Sequence, residues 1–258
     1  MIITIDGPSA SGKSSLAQKL AQALKYIHIN SGFLYRAAAV LYLRQTTASL
    51  GSAGSSPHNL GTLSSPQDVS KGGAVIAIDF LQTITKLKYI YNPVTNRAQV
   101  YYLDEDLTPA LKTPQASQMA SILSANPAVR EIINQLQRDL VAANPEYGYI
   151  ADGRDCGSVV FPRADLKIFL TASLQVRAER VCHDLQRLAQ QNHAASKSVE
   201  SLTLAECLAE LAERDQRDQN RVVAPLIVPA GAIVIDSSDL ALAQVVQKIL
   251  ALITKLSD

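Results

Sequence analysis

Residues 7–14 read GPSASGKS, a Gly-x-x-x-x-Gly-Lys-Ser string with a definite chemical use. Glycines allow the backbone of Gly7, Pro8, Ser9, Ala10, Ser11 and Gly12 to wrap a phosphate with the N–H groups that all of these except Pro8 carry. The N-terminus of a following helix adds partial positive charge there. Lys13 then reaches the outer phosphates, Ser14 offers its hydroxyl to Mg²⁺, mostly through water, and Ser15 stands beside it. The string is meaningful between a strand and a helix. It has both: IITID (2–6) before it, and a helical apolar pattern over 13–24 after it. Binding of ATP or GTP with Mg²⁺ is expected.

A second cluster lies far away in the chain. Residues 213–221 read ERDQRDQNR. Such stretches are commonly solvated helix faces, but Arg214, Asp218 and Arg221 are spaced i, i+4, i+7 and share one face of a helix. Asp215 and Arg217 point elsewhere and are read as solvated. Other arginines follow strand patterns, where open α/β sheets bind ligands. NSGFLYR (30–36) brings Ser31 and Arg36 to that rim, and GRD (153–155) brings Arg154 and Asp155; Arg130 lies on a predicted helix. Guanidinium groups hold phosphates bidentately, so several from separate segments suggest phosphate on both donor and acceptor.

Three enzyme classes use such a loop. A switch GTPase needs a guanine-reading Asn-Lys-x-Asp string, and none occurs. A motor ATPase usually carries adjacent acidic residues at a strand end; here Asp152 and Asp155 are separated by Gly153 and Arg154. A small-molecule kinase remains. A non-catalytic nucleotide-binding regulator is the other alternative, although it has no need of arginines on an acceptor side.

Strand patterns at 2–6, 27–30, 148–152, 166–170 and 232–236 alternate with helical patterns at 13–24, 34–45, 174–190 and 240–256. Continuous apolar strands of this kind suit burial on both faces of a parallel sheet. The fold class expected is α/β, a three-layer P-loop core with a five-stranded parallel sheet. Two stretches interrupt it. Residues 46–66 are rich in Ser, Gly, Thr and Pro and read as a loop. Residues 74–103 are β-branched and aromatic around a turn at NPVTN, and read as a small antiparallel sheet. A further interruption at 192–202 leads into a helix at 203–217.

The 258 residues carry 24 Lys and Arg against 23 Asp and Glu, a net charge of +1. Bulk attraction to nucleic acid or to an anionic membrane is therefore not expected. The apolar C-terminal stretch is broken by Gln244, Gln247, Lys248 and Lys255 and reads as a packed amphipathic helix. No secretory leader is expected from MIITIDG. Cys156, Cys182 and Cys207 are scattered, consistent with reduced thiols and a cytoplasmic protein.

The strings IDGPSASGKS, NSGFLYR, ADGRDCGSVVFPRADLKIFLTAS, RDQRDQNRVVAPL and AIVIDSS together resemble bacterial cytidylate kinase, a P-loop nucleoside monophosphate kinase family. The resemblance implies transfer of the γ-phosphoryl of ATP to CMP or dCMP, with Mg²⁺, by a single kinase domain (1–258). It implies a core of 1–45, 148–180 and 222–258, a monophosphate-binding lobe (46–147) holding the small sheet, and a helical lid (181–221). Arg36, Arg154 and Arg221 would hold the acceptor phosphate, with Ser31 on the same motif set, and Arg214 and Asp218 the ribose. Ser121, Arg130 and Asp155 would read the base, and Arg177 and Arg180 would meet ATP from the lid. Lys13, Arg154 and Arg221 would carry catalysis. A monomer is expected. A uridylate-directed kinase is the neighbouring alternative. The sequence departs from the family pattern at Asn30, where Asp is usual, at Val181, where a second arginine is often found, and in the length of 46–66. Asp152 is open between orienting Mg²⁺ through water and a structural role at the strand end.

Overall fold

The computed structural model describes residues 1–51, 76–191 and 203–257. Five strands, β1 (Ile2–Asp6), β2 (Ile27–Asn30), β6 (Tyr149–Gly153), β7 (Leu166–Thr171) and β8 (Ile233–Asp236), form one sheet in the order β2-β6-β1-β7-β8. Every neighbouring pair is parallel. β6 is buried along its whole length and β1 from Ile3 onward, as their unbroken apolar sequences require. On one face, Ile3, Ile5, Ile168 and Leu170 pack on α1 (Lys13–Leu24) and α8 (Leu242–Ser257) through Leu16, Leu20, Val245 and Ile249. On the other, Ile29, Tyr149 and Ala151 meet a π-helical turn, Cys156–Val160, and the helix Pro127–Ala143 (α5). The expected three-layer core is present.

The 46–147 segment differs in part from its expectation. Helix α2 runs from Ser31 to Gly51, beyond the expected end at 45. The hydroxyls of Thr46 and Thr47 donate to carbonyls three and four residues back, so these residues continue the helix despite weak propensity. The rest of the expected 46–66 loop, from 52 onward, lies outside the described residues. Residues 78–84, expected in the small sheet, form a helix, α3 (Ile78–Ile84). Phe80 and Ile84, four residues apart, are both buried, and Phe80 meets Tyr42 of α2 edge-on at 5.3 Å. Tertiary packing overrides the β-branched composition here.

The antiparallel sheet follows: β3 (Leu87–Asn92), β4 (Arg97–Tyr102) and β5 (Glu105–Asp106). Its first turn falls at NPVTN, where Asn92 Oδ1 accepts from Val94 and Thr95 N–H and Asn96 takes positive φ. A 3₁₀ turn (Thr108–Lys112) and α4 (Pro114–Leu123) lead to α5. Helices α6 (Leu174–Gln191) and α7 (Leu204–Asn220) pack through Ala178, Cys207 and Leu211. Arg177 meets Asp215 while Cys182 meets Cys207, so the two helices run antiparallel. The boundary drawn from sequence between residues 180 and 181 falls inside α6, which is one uninterrupted helix. No described helix is long and apolar enough to cross a membrane.

Candidate active site

β1 delivers the chain into the loop at Gly7, whose φ is +149°; a Cβ there would lie 2.0 Å from the Leu170 carbonyl oxygen. Only glycine fits that approach. The loop closes at Gly12, with φ +92°, as the N-cap of α1. Behind it, the buried Asp6 carboxylate accepts from Cys156 N–H at 2.8 Å and Gly157 N–H at 2.7 Å. Asp6 thus ties the strand before the loop to the turn after Asp155. Burial pushes its pKa from 3.8 up to about 6, against the pull of those two N–H groups.

Lys13 is buried, and its ammonium donates to the Pro8 carbonyl and, at 3.2 Å, to Ser11 Oγ. Burial and the neighbouring Arg154 hold its pKa well below the usual lysine range. Ser14 Oγ donates to Asp152 Oδ2 at 2.7 Å and accepts from the Asn30 amide at 3.1 Å. His28 Nε2 lies 2.6 Å from Asp152 Oδ1. Burial raises the pKa of Asp152, but His28, the Ser14 hydroxyl and Lys13 together pull it below the ordinary value. Asn30 also caps α2, its Oδ1 accepting from Phe33 N–H at 3.1 Å. The departure noted at Asn30 therefore has two concrete contacts: an aspartate could make the cap but could not donate to Ser14.

One cavity of about 1140 Å³ extends from this loop to α4, α5 and α7. The loop contributes Ser9, Ala10, Gly12, Lys13, Ser14 and Ser15. Facing them are Ser31 and Arg36 of α2, Arg154 and Asp155 after β6, and Arg214, Asp218 and Arg221 at the end of α7. Ser121 and Arg130 line the same cavity. Residues up to 212 positions apart in sequence, Ser9 and Arg221, thus converge at the carboxyl edge of the sheet, where such folds bind ligands.

Three of the cavity arginines, Arg130, Arg154 and Arg221, are paired with carboxylates. Arg154 donates to Asp218 Oδ2 at 2.9 Å and to Ser9 Oγ at 2.9 Å. Arg130 pairs with Asp155, donates to the Ser124 carbonyl at 3.0 Å and lies 5.7 Å over the Tyr35 ring. Arg221 Nη2 stands 3.8 Å from Asp155 Oδ1. Asp218 is buried, which raises its pKa, yet Arg154, Arg221 and Arg214 bring it below the ordinary value. Burial, with Arg154 nearby, lowers Arg214 to about 10. Buried nitrogens of Arg130 (Nε), Arg214 (Nε) and Arg221 (Nη2) have no hydrogen-bond acceptor.

Several expected positions are used differently. Arg177, expected to meet ATP, does not line the cavity; its donors go to the Ala172 and Ser9 carbonyls and to Asp215. Asp215, read as solvated, is buried by that pair. The periodicity could not reveal this, because a helix face that turns away from one ligand can still turn toward another segment. Arg217, also read as solvated, is exposed and pairs with Glu213, but it additionally donates to Ser121 Oγ at 3.3 Å. Ser31 Oγ donates to Gln137 Oε1 at 2.6 Å within the wall of the cavity. Arg180 does line the cavity, donating to the Ser237 carbonyl at 2.7 Å. Val181 packs against the α6–α7 contact. Sequence reasoning missed His28, Asp6 and Gln137, whose partners are more than 100 residues away in each case.

A phosphate-cradling loop facing a group of arginines across one cavity defines a P-loop phosphotransferase whose acceptor is itself anionic. The family model described as cytidylate kinase matches residues 3–255. The chain belongs to the cytidylate kinase family, and its reaction is phosphoryl transfer from ATP to CMP. A cytidylate kinase of Chlamydia felis is 37% identical over 255 residues, covering 98% of both chains. One of Chlamydia trachomatis serovar L2 is 36% identical over 253 residues with the same coverage. One of Saccharophagus degradans is 35% identical over 252 residues, covering 98% of this chain and 96% of its own. The resemblance carried by the sequence motifs is borne out.

Proposed function

We propose that residues 7–15 hold the donor ATP, with Arg180 beside them, and that Arg36, Arg154 and Arg221 hold the phosphate of CMP or dCMP. The observation that carries this reading is the arginine set from α2, β6 and α7 facing the loop across one cavity. Arg214 and Asp218 serve the ribose, and Ser121, Arg130 and Asp155 the cytosine, with Ser31 in the adjoining wall. Because Asp155 already pairs with Arg130, the two act on the base as a unit.

The attacking atom is an oxygen of the acceptor phosphate, already an anion near neutral pH, so no general base is needed. What must be overcome is repulsion between two phosphate groups. Lys13 exchanges the Pro8 carbonyl and Ser11 hydroxyl for donor phosphate oxygens. Arg154, contacting both Ser9 of the donor loop and Asp218 of the acceptor side, stands between the two and neutralises charge as it moves. Arg221 does the same from the acceptor side. Helices α6 and α7, which carry the described part of the proposed lid (181–221), wall the site and keep water from taking the phosphoryl group. The proposed acceptor lobe is 46–147, on a core of 1–45, 148–180 and 222–258.

Mg²⁺ fits the residues present. The Ser14 O–H donates a hydrogen bond to Asp152, which leaves an oxygen lone pair for a metal, and Asp152 is a carboxylate able to order coordinated water. Among the described residues no group of three or more His, Cys, Asp or Glu could cage a metal, which suits an ion held largely by water and phosphates. When bound, Mg²⁺ neutralises donor phosphate charge and orients it. The active site is complete within one chain, which supports a monomer, and we place the enzyme in the cytoplasm, where its three thiols stay reduced.

Kinetics of Arg221→Ala test the assignment. The variant is expected to lose about 10²–10³ in kcat, as for one aimed charge donor, with little change in melting temperature. Unchanged kcat in a destabilised protein would return Arg221 to a structural role.

A further inference from the structure

Ser9, in the middle of the donor loop, is held at three atoms by side chains from outside the loop. Its N–H donates to Asp215 Oδ1 at 3.3 Å. Its carbonyl accepts from Arg177 Nη1 at 3.1 Å. Its hydroxyl accepts from Arg154 Nη2 at 2.9 Å. Arg177 and Asp215 bond each other at 2.6 Å, and Arg177 Nε is anchored on the Ala172 carbonyl at 3.0 Å. Both side chains are buried, with residue exposures of 6% and 8%.

An ion pair buried this way is weak evidence of a stability role, since an apolar pair of similar volume often serves as well or better. Its particular property is direction. Arg177, on α6, grips the acceptor side of the Ser9 peptide unit, while Asp215, on α7, grips the donor side. Neither lines the cavity, yet both hold Ser9, which does, and together they set the backbone orientation of the loop that meets ATP.

We infer that Arg177 and Asp215 are a positioning pair for the donor loop, transmitting the placement of α6 and α7 to Ser9. Nothing in the spacing of either residue indicates this, and it reverses both sequence readings: Arg177 acts on ATP through the loop, and Asp215 is its partner. Arg154 reaches the same residue from the acceptor side, through the Ser9 hydroxyl alone. This inference rests on residues 7–15 being the donor loop.

The test compares the intact enzyme with Asp215→Asn, with Arg177→Met/Asp215→Leu, and with Lys13→Ala. Melting temperature is measured on each, together with calorimetric affinity for a non-hydrolysable ATP analogue with Mg²⁺ and, separately, for CMP. Asp215→Asn is expected to weaken analogue binding by about tenfold or more, the scale of one charge-assisted hydrogen bond, and to leave CMP affinity unchanged. The apolar pair is expected to regain the melting temperature without regaining analogue affinity. Wild-type analogue affinity in the apolar pair, or equal losses for analogue and CMP in Asp215→Asn, would overturn the inference. Lys13→Ala separates the two levels. If it alone loses analogue binding, the positioning role is wrong and the donor loop stands; if it keeps binding, the donor-loop reading itself fails.

Discussion

Asp6 carries the clearest pH signature in the molecule. Burial raises its pKa from 3.8 to about 6, so between those values the folded chain binds a proton that the unfolded chain has released. The stability it contributes is full below about 4 and is lost as pH rises through about 6. Asp152 and Asp218, depressed in the fold, act the other way and lose their contribution as pH falls below the ordinary carboxylate range. Urea midpoints measured from pH 4 to 7 are expected to fall with pH relative to those of Asp6→Asn. Parallel profiles for the two proteins would remove Asp6 as the cause. At this scale the donor loop was legible, because its chemistry is local: the residues that wrap the phosphate are consecutive. His28 and Asp215 were not, because each takes its meaning from an atom on another segment, Asp152 Oδ1 in one case and the Ser9 peptide in the other.

Among the elements, α7 has the best-defined start. Thr203 accepts from Glu206 N–H while the Glu206 carboxylate accepts from Thr203 N–H at 2.7 Å, a reciprocal capping box. The box fixes where α7 begins and so the phase at which Arg214, Asp218 and Arg221 face the cavity. Thr203→Ala is expected to cost about 1 kcal/mol of stability in denaturant unfolding, leaving the acceptor specificity unchanged. All five strands of the parallel sheet were legible from their unbroken apolar runs, to within one residue at either end. The lobe was harder. α3 carries the β-branched composition of a strand, and only the burial of Phe80 and Ile84 against α2 makes it a helix. The C-terminal part of α2 hid in a Thr- and Ser-rich stretch in which the Thr46 and Thr47 hydroxyls turn back onto the helix itself.

For the whole molecule, the five-stranded sheet brings the ends of β1, β2 and β6 to one edge, and the lobe and the α6–α7 pair complete the walls around that edge. The small sheet is fastened to this edge directly. Tyr89 on β3 donates to the His28 carbonyl and accepts from Asn30 N–H, both at 2.9 Å, so the lobe grips the strand end that carries the Ser14 network. The result is one cavity with a phosphate loop at one end and paired arginines and carboxylates at the other. The central claim is that this second end takes cytidine or deoxycytidine monophosphate. It is tested most directly by ADP release measured with ATP, Mg²⁺ and, in turn, CMP, dCMP, UMP and AMP as acceptor. CMP and dCMP are expected to stimulate release strongly and UMP weakly. Equal stimulation by UMP and CMP, or ADP release indifferent to every acceptor, would contradict it.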